Sequence, residues 1–157
     1  QYDFIWFGST PSALIPAKIR KAVRTQLPNL QFPGFVGKEE LMDAYSGSDL
    51  FFFPTLEETE GIVMLEAMAM ETPVLTRDIP VYEGWLEHGR TVYKGRGQED
   101  FARLLPDILE GRLPRLTEEA YRLVQENSIT KIGDALAGIY DGLFAEEKAE
   151  SKNLQLL

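Results

Sequence analysis

The chain has 157 residues, a formal net charge of −9 at pH 7, no cysteine and a single histidine, His88. This length suits one domain with a substantial core, and the composition excludes disulfides, thiolate metal sites and His-rich metal clusters. The acidic balance disfavours broad nucleic-acid binding and anchoring of this region on an anionic membrane. No apolar run approaches the roughly 20 residues of a spanning helix. Because Gln1 is not methionine and no signal segment precedes the fold, we expect a cytoplasmic protein that starts upstream.

Short apolar runs bounded by Gly and Pro alternate with stretches of helical period, a pattern typical of parallel strands joined by helices. The sequence therefore predicts an α/β fold. Strands are predicted at residues 2–7, 30–32, 50–53, 73–75 and 91–93, and helices at 16–26, 38–45 and 61–70. The strand at 50–53 has no polar face and is predicted to be central. The helix at 61–70 is apolar almost all round and is predicted to be buried.

Apolar residues at helical spacing predict core-packing faces on three helices. In helix 16–26 they are Ile19 and Val23. Further along they are Phe101, Leu104, Leu105, Ile108 and Leu109, and then Ile132, Leu136, Ile139, Tyr140 and Leu143. From residue 145 the chain is charged and then apolar, so we expect one domain over residues 1–144 and a C-terminal tail over 145–157.

Residues 50–85 carry the chemistry, in the order strand, acidic loop with a glycine, buried helix, strand, loop. In open parallel sheets, ligands bind at the carboxyl ends of strands, where helix N-termini present unpaired N–H groups. The backbone N–H groups of Gly61, Ile62 and Val63 are predicted to reach this edge, and Gly61 has no Cβ to block close approach. A diphosphate is therefore predicted to bind there through main-chain donors.

Glu58 and Glu66 flank this helix start, with seven residues between them. Glu66 lies one turn inside the helix and points back toward its N-terminus, where its carboxylate suits a vicinal diol such as a ribose. Glu58 is placed to bind sugar hydroxyls or to assist the reacting centre. A purely structural alternative stays open for both, namely helix capping for Glu58 and a satisfied internal carboxylate for Glu66. Glu57 and Glu60 are predicted to be solvated loop charges.

The run 54–74 closely resembles the donor-site motif of retaining GT-B glycosyltransferases, in which two Glu are separated by seven residues. The resemblance rests on Glu58, Gly61, Glu66, Ala67, Met68, Ala69, Pro73 and Val74. Residues 77–86 more narrowly resemble bacterial glucosyltransferases that build glycolipids on diacylglycerol. Residues 3–8 and 31–37 resemble the second and third strands of the family's donor domain, so the likeness covers nearly the whole chain.

The resemblance implies a Rossmann-like parallel sheet flanked by helices, the C-terminal half of a GT-B enzyme. It implies a nucleoside-diphosphate sugar as donor, commonly UDP-glucose, with no required metal or cofactor. Glu66 would then hold the ribose, and the N–H groups of Gly61, Ile62 and Val63 would face the diphosphate. Glu58, as the catalytic candidate, would face the donor sugar together with Thr59 and Glu60. The turn Gly34, Phe35 and Val36 would flank the base, although Phe35 is as readily a core residue.

Two features depart from the family pattern. Nothing before Asp3 supplies the family's first strand and its Arg- and Lys-bearing loop, so the donor domain is expected to be incomplete and inactive by itself. Met70 and Glu71 replace the usual small residue and glycine. The whole enzyme would transfer a hexose to a hydroxyl acceptor held by an acceptor domain of the same polypeptide. A glycolipid precursor would suit that acceptor role.

Alternative functions stay open at this stage. They are a sugar-nucleotide epimerase of similar architecture and a non-catalytic nucleotide-binding module, because Rossmann-like sheets host many activities. An epimerase would be expected to show more acid and base groups than His88 supplies. Lys18, Arg20, Lys21 and Arg24 form a basic stripe, which is predicted to be a solvated helix face and is also the patch that could meet lipid headgroups. We therefore also consider a peripheral location on the inner face of the membrane.

Overall fold

A computed structural model of the chain describes residues 2–9, 11, 13–25 and 27–154, with side chains described as far as residue 144. The described chain divides into two compact units, Gln1–Ser48 and Asp49–Leu157. Both units are built from strands and helices that alternate along the chain, and every strand pairing within them is parallel. The α/β class predicted from the sequence is confirmed.

The first unit is a strand-helix-strand arrangement followed by a further helix. Its elements are β1 (Phe4–Phe7), α1 (Ala17–Val23), β2 (Leu30–Gly34) and α2 (Lys38–Gly47). β1 and β2 form a two-stranded parallel sheet in which Phe4 lies opposite Leu30. Past the end of β1, the Gly8 N–H donates a hydrogen bond to the Gly34 carbonyl at 2.7 Å. The helix-linked parallel pair is the unit that the apolar pattern predicted.

The prediction that Ile19 and Val23 face a core is wrong for this unit. Their side chains are 49% and 43% exposed, and α1 buries none of its residues. Trp6 in β1 is also exposed, at 64%. A sheet of two strands offers too little apolar surface to cover a helix and both of its own faces.

The second unit contains a three-stranded parallel sheet and most of the helices. Its elements are β3 (Phe51–Phe53), α3 (Ile62–Ala69), β4 (Val74–Arg77), a 3-10 turn (Pro80–Tyr82), β5 (Tyr93–Gly95), α4 (Gln98–Leu109), α5 (Thr117–Glu126) and α6 (Ile129–Leu154). The strand order is β3-β4-β5, with Phe51 opposite Val74 and Leu75 opposite Tyr93. Because all three strands run in one direction, their carboxyl ends share one edge of the sheet.

The strand predicted to be central, β3, is instead an outer strand of this sheet. β4 takes the central position, with Val74, Leu75 and Thr76 buried, whereas the phenylalanines of β3 are half-buried. A continuous apolar run indicates that both faces of a strand are covered. It does not indicate which strands pair with its two edges. The prediction is therefore wrong for the strand order within this unit.

The core of the second unit lies between the sheet and α4. Leu75, Tyr93, Phe101, Leu104 and Ile108 form one buried cluster, with Phe52 packed against it. The Phe52 and Phe101 rings meet edge to face, with centroids 5.1 Å apart. The predicted core-packing face of α4 is thus confirmed for Phe101, Leu104 and Ile108.

The corresponding prediction for α6 is wrong in the described structure. The five side chains that predicted this face are each more than half exposed, at 54% for Ile132, 51% for Leu136, 62% for Ile139, 54% for Tyr140 and 57% for Leu143. The helix continues without interruption through residue 144 to Leu154, so the predicted tail is helical over that part. In the described residues, no helix is both long and apolar enough to cross a membrane.

The contrast between α4 and α6 gives a first testable prediction. Phe101→Ala removes a ring from the buried cluster and should lower the free energy of unfolding of the chain by about 3–5 kcal/mol. Leu136→Ala on the exposed face of α6 should change it by less than about 1 kcal/mol. Urea denaturation followed by circular dichroism measures both variants. Equal losses would contradict the assignment of the core to α4.

Candidate functional site

The loop 54–61 joins β3 to α3 at the carboxyl edge of the sheet. α3 starts at Ile62 and buries Met64, Ala67 and Met68 completely. Its other residues are half-buried or exposed, so the helix is less enclosed than its composition predicted. The predicted order of strand, acidic loop and helix start is confirmed, and it places the start of α3 at the sheet edge where ligands of parallel α/β folds bind.

Gly61 shapes the start of α3. Its φ of 81° and ψ of 38° are left-handed, and no side chain caps the helix. A Cβ at this position would lie 2.6 Å from Cε of Met64 and 3.3 Å from Cε1 of Tyr82. Both the backbone conformation and the space therefore require glycine. No side chain caps the helix, Ile62 is 56% exposed and Gly61 is buried. The N–H groups of a helix's first turn have no partner within the helix, and its N-terminus carries the positive end of the helix dipole.

Glu58 lies in the loop just before the helix and is half-buried. One of its carboxylate oxygens, Oε1, accepts a hydrogen bond from the Thr59 N–H at 2.9 Å and lies 3.5 Å from the Thr59 hydroxyl. Thr59 and Glu60 are exposed beside it, and Glu57 is exposed on its other side. The hydrogen bond from Thr59 therefore holds the Glu58 carboxylate against the loop backbone next to the helix start. Glu57 and Glu60 are solvated, as their sequence context predicted.

Glu66 lies in α3, one helical turn after Ile62, and is half-buried. Side chains of a helix tilt toward its N-terminus, and the position of Glu66 is therefore compatible with the prediction that its carboxylate lies near the turn that Gly61 begins. Two nearby residues of the same helix, Met64 and Ala67, are fully buried. Glu66 therefore occupies the boundary between the buried face of α3 and its solvent-facing start.

The Tyr82 ring packs next to Gly61. The sequence alone did not predict this contact. The residue is fully buried, and its ring meets Trp85 edge to face at 5.8 Å. In the described part of the chain its hydroxyl has no hydrogen bond of normal geometry, and the nearby Thr76 hydroxyl donates to the Phe53 carbonyl at 3.0 Å. Burial raises the pKa of Tyr82, the Thr76 hydroxyl opposes this rise, and the Glu58 carboxylate adds to it. The neutral phenol is therefore the stable form under α3.

The predicted base-flanking turn belongs to the first unit, whereas residues 58–66 belong to the second. Gly34 ends β2 with a φ of 84°, and its carbonyl accepts the hydrogen bond from Gly8. Val36 is half-buried, and Phe35 is 85% exposed. The alternative that Phe35 is a core residue is therefore wrong for the described structure, and its ring is open to solvent.

The ring of His88 is held by contacts with other residues of its own unit. Its Nδ1 accepts a hydrogen bond from the Lys94 N–H at 2.8 Å, and its ring meets Tyr93 edge to face. Within the described residues there is no cluster of three or more His, Cys, Asp or Glu side chains suited to a metal ion. The groups available at the helix start are main-chain N–H donors, carboxylates and hydroxyls.

Gly61 can be tested against a second left-handed glycine. Gly61→Ala adds a Cβ that collides with Met64 and Tyr82 in addition to the strain of a positive φ. Gly111 has a φ of 71° and open space where its Cβ would be, so Gly111→Ala carries only the backbone cost of about 1–2 kcal/mol. We expect Gly61→Ala to lower the free energy of unfolding by a further 1–3 kcal/mol or so. Chemical denaturation of the two variants would refute the steric argument if their losses were equal.

The buried phenol gives a pH prediction. The folded-state pKa of Tyr82 lies above its unfolded value of about 10, so at high pH the unfolded chain loses this proton first. The free energy of unfolding should therefore fall as pH rises above about 10. Burial raises the pKa of Tyr93 in the same way, so Tyr82→Phe should reduce this alkaline slope without abolishing it. Urea unfolding at a series of alkaline pH values measures the slope, and an identical slope in the variant would contradict the prediction.

Comparison with known proteins adds independent findings. The family model of glycosyl transferases group 1 matches residues 19–129. The chain is 42% identical over 137 residues to the processive diacylglycerol alpha-glucosyltransferase of Acholeplasma laidlawii, an alignment that covers 87% of this chain and 41% of the relative. It is 33% identical over 131 residues to the alpha-galactosylglucosyldiacylglycerol synthase of Streptococcus pneumoniae, with coverage of 82% and 35%. The chain therefore spans less than half the length of these relatives.

Solved structures show the same fold. The crystal structure of Anabaena Alr3699/HepE in complex with UDP-glucose superposes with a TM-score of 0.73 at 17% sequence identity. The superposition covers 88% of this chain and 40% of that protein. The expected architecture of parallel sheets flanked by helices, in the manner of GT-B glycosyltransferases, is thereby confirmed.

Proposed function

Because the chain belongs to the glycosyl transferases of group 1, we propose that it binds the sugar donor of a retaining enzyme that transfers glucose from UDP-glucose to a hydroxyl group. The uncapped start of α3 at Gly61, between Glu58 and Glu66, is the observation that supports this proposal most directly. The remainder of the enzyme, including its acceptor-binding region, would belong to the same polypeptide, since the matched relatives are more than twice as long as the aligned region.

The start of α3 is assigned to the donor diphosphate. Cleavage of the bond between the anomeric carbon and the diphosphate leaves growing negative charge on the diphosphate and positive charge on the sugar ring. Fixed N–H dipoles at Gly61, Ile62 and Val63 stabilise the first of these charges without rearranging during the reaction. The left-handed backbone of Gly61 opens α3, and the Cβ that it lacks would lie against Met64 and Tyr82.

The two carboxylates are assigned to hydroxyl groups of the donor. A carboxylate next to a diphosphate would be repelled by it, whereas a diol donates two hydrogen bonds to a carboxylate. Glu66, one turn inside α3, would bind the ribose hydroxyls. Glu58, together with Thr59 and Glu60 in the exposed part of the loop, would face the donor sugar. The role of Gly34, Phe35 and Val36 at the base stays a prediction of the family resemblance; within the first unit, the Phe35 ring is exposed and could stack on a base.

The acceptor is proposed to be a lipid hydroxyl on a glycolipid precursor. Two curated relatives are named for diacylglycerol-based products, and the identity to the first extends over 87% of this chain. Such an acceptor lies in a membrane, so the whole enzyme would work as a peripheral protein on the inner membrane face. Lys18, Lys21 and Arg24 are exposed around α1 and supply a basic surface for anionic headgroups.

The ribose assignment leads to a sharp binding experiment. In the full-length protein, Glu66→Gln should weaken UDP-glucose about 10- to 100-fold, because hydrogen bonds to a charged group contribute about 1.5–3 kcal/mol. The loss should largely disappear when the titrant is 2′-deoxy-UDP-glucose, which lacks one of the hydroxyls. Isothermal titration calorimetry with both nucleotides forms a double-mutant cycle between residue and ligand.

The matched control is Glu118→Gln, since Glu118 lies on α5 and pairs with Arg122. This control should leave both affinities unchanged. An equal loss for both nucleotides in Glu66→Gln would remove the ribose role.

Binding of UDP-glucose without sugar transfer to diacylglycerol in detergent micelles would favour a non-catalytic nucleotide-binding module. Conversion of the donor sugar without any acceptor would favour an epimerase.

A further inference from the structure

Arg77, at the end of β4, binds backbone carbonyls from both neighbouring segments of the sheet edge. Its Nε donates hydrogen bonds to the carbonyls of Pro54, at 3.2 Å, and Thr55, at 3.1 Å. Its Nη1 donates to the carbonyl of Arg96, just after β5, at 2.7 Å. A single guanidinium therefore connects the chain leaving β3 with the chain leaving β5.

The contacts continue the pairing of β3 and β4 beyond the end of the strands. The parallel ladder ends where Phe53 lies opposite Thr76. At that point the Thr76 hydroxyl binds the Phe53 carbonyl, and Arg77 binds the next two carbonyls along the chain. Side chains of β4 thus take the place of ladder N–H groups for three successive carbonyls, which fixes the first residues of the loop to the sheet.

The Arg77 side chain is itself held in place by the core. Its guanidinium carbon lies 5.2 Å from the centroid of the Phe101 ring. Phe101 is part of the buried cluster with Leu75 and Tyr93. Stacking on an aromatic face suits the planar guanidinium and restricts its rotation. The position of the guanidinium is therefore determined by the core of the unit.

From Arg77 the connection runs into the candidate site. Thr55, whose carbonyl Arg77 binds, donates its own hydroxyl hydrogen to the Glu57 carbonyl at 2.7 Å. The next residue is Glu58, whose carboxylate is bound by the Thr59 N–H. The ring contact of Arg77, its hydrogen bond to Thr55, the hydrogen bond from Thr55 to Glu57 and the peptide bond to Glu58 therefore link the core to the residue assigned to the donor sugar.

We propose that Arg77 is a positioning residue for sugar transfer, which fixes the loop 54–61 so that Glu58 faces the donor sugar above the start of α3. The inference rests on the proposed function, and Arg77 acts through the loop backbone. The role requires arginine rather than any cation, because the contacts need two donor nitrogens set apart on a rigid plane. A lysine has one nitrogen and cannot reach the Thr55 and Arg96 carbonyls in the same geometry.

The test compares Arg77→Lys and Arg77→Ala with Arg122→Lys and Arg122→Ala in the full-length protein. Arg122 is a matched control because its guanidinium pairs with Glu118 and Glu119 on its own helix, α5. We expect kcat for sugar transfer to fall about 10- to 100-fold in both Arg77 variants, as misplacement of a reacting group by about 1 Å can cause. The Kd for UDP, which lacks the sugar, should change far less, and the Arg122 variants should match the wild type.

Two further readouts separate positioning from general stability. Added methylguanidinium should restore part of the lost kcat in Arg77→Ala and none in Arg77→Lys, where the site is filled. Hydrogen exchange should accelerate at the Thr59 amide, which donates to the Glu58 carboxylate, in Arg77→Ala while the amides of β4 stay protected.

An unchanged kcat in an active protein would overturn the proposal, as would a loss without guanidinium rescue that is accompanied by faster exchange throughout the unit. If the wild type neither binds UDP nor transfers sugar, the proposed function fails. The exchange measurement then still decides whether Arg77 fixes the loop, and unchanged exchange at the Thr59 amide would overturn that part in either case.

Discussion

The close approach of backbone to side chain at Gly61 is the constraint on which the candidate site depends. The chain must turn from an acidic loop into a helix directly above a buried tyrosine ring, and only a residue without Cβ leaves room for this. The consequence is a helix start that has no side-chain cap and whose first residue, Ile62, is exposed. The anion-binding role proposed for this helix start would use main-chain groups, whose positions are set by the packing of α3 on the sheet.

This arrangement explains how a chain with a net charge of −9 can be suited to an anionic nucleotide. The donors proposed for the diphosphate are backbone dipoles, so the segment needs no lysine or arginine to bind it. Its own arginine, Arg77, is occupied with three carbonyls and an aromatic ring. The acidic groups, Glu58 and Glu66, are assigned to hydroxyls, for which carboxylates are good acceptors. Within this short stretch of chain, the proposal therefore assigns main-chain groups to the charged diphosphate and carboxylates to uncharged hydroxyl groups.

The exposed apolar surfaces show how far a hydrophobic pattern can be interpreted. Helical periodicity in α4 and in α6 looks alike, yet the α4 face is buried against β4 and β5 while Leu136 and Ile139 of α6 are more than half exposed. Periodicity reports that a helix has an apolar side, and it does not report which segment covers that side. For α4 the covering strands lie within the same unit. The chain spans less than half the length of its curated relatives.

The amino-acid sequence by itself determined the α/β class, the order of strand, acidic loop and helix over residues 50–70, and the location of Gly61, Glu58 and Glu66 around one helix start. These features depend on spacings of a few residues, which helix and strand geometry convert directly into position. Only the tertiary structure decided that β4 lies between β3 and β5, that Tyr82 lies under Gly61, and that Arg77 binds Pro54 and Thr55. Such contacts join residues far apart in the chain, and they arise from how strands pair and pack, for which local periodicity carries no signal.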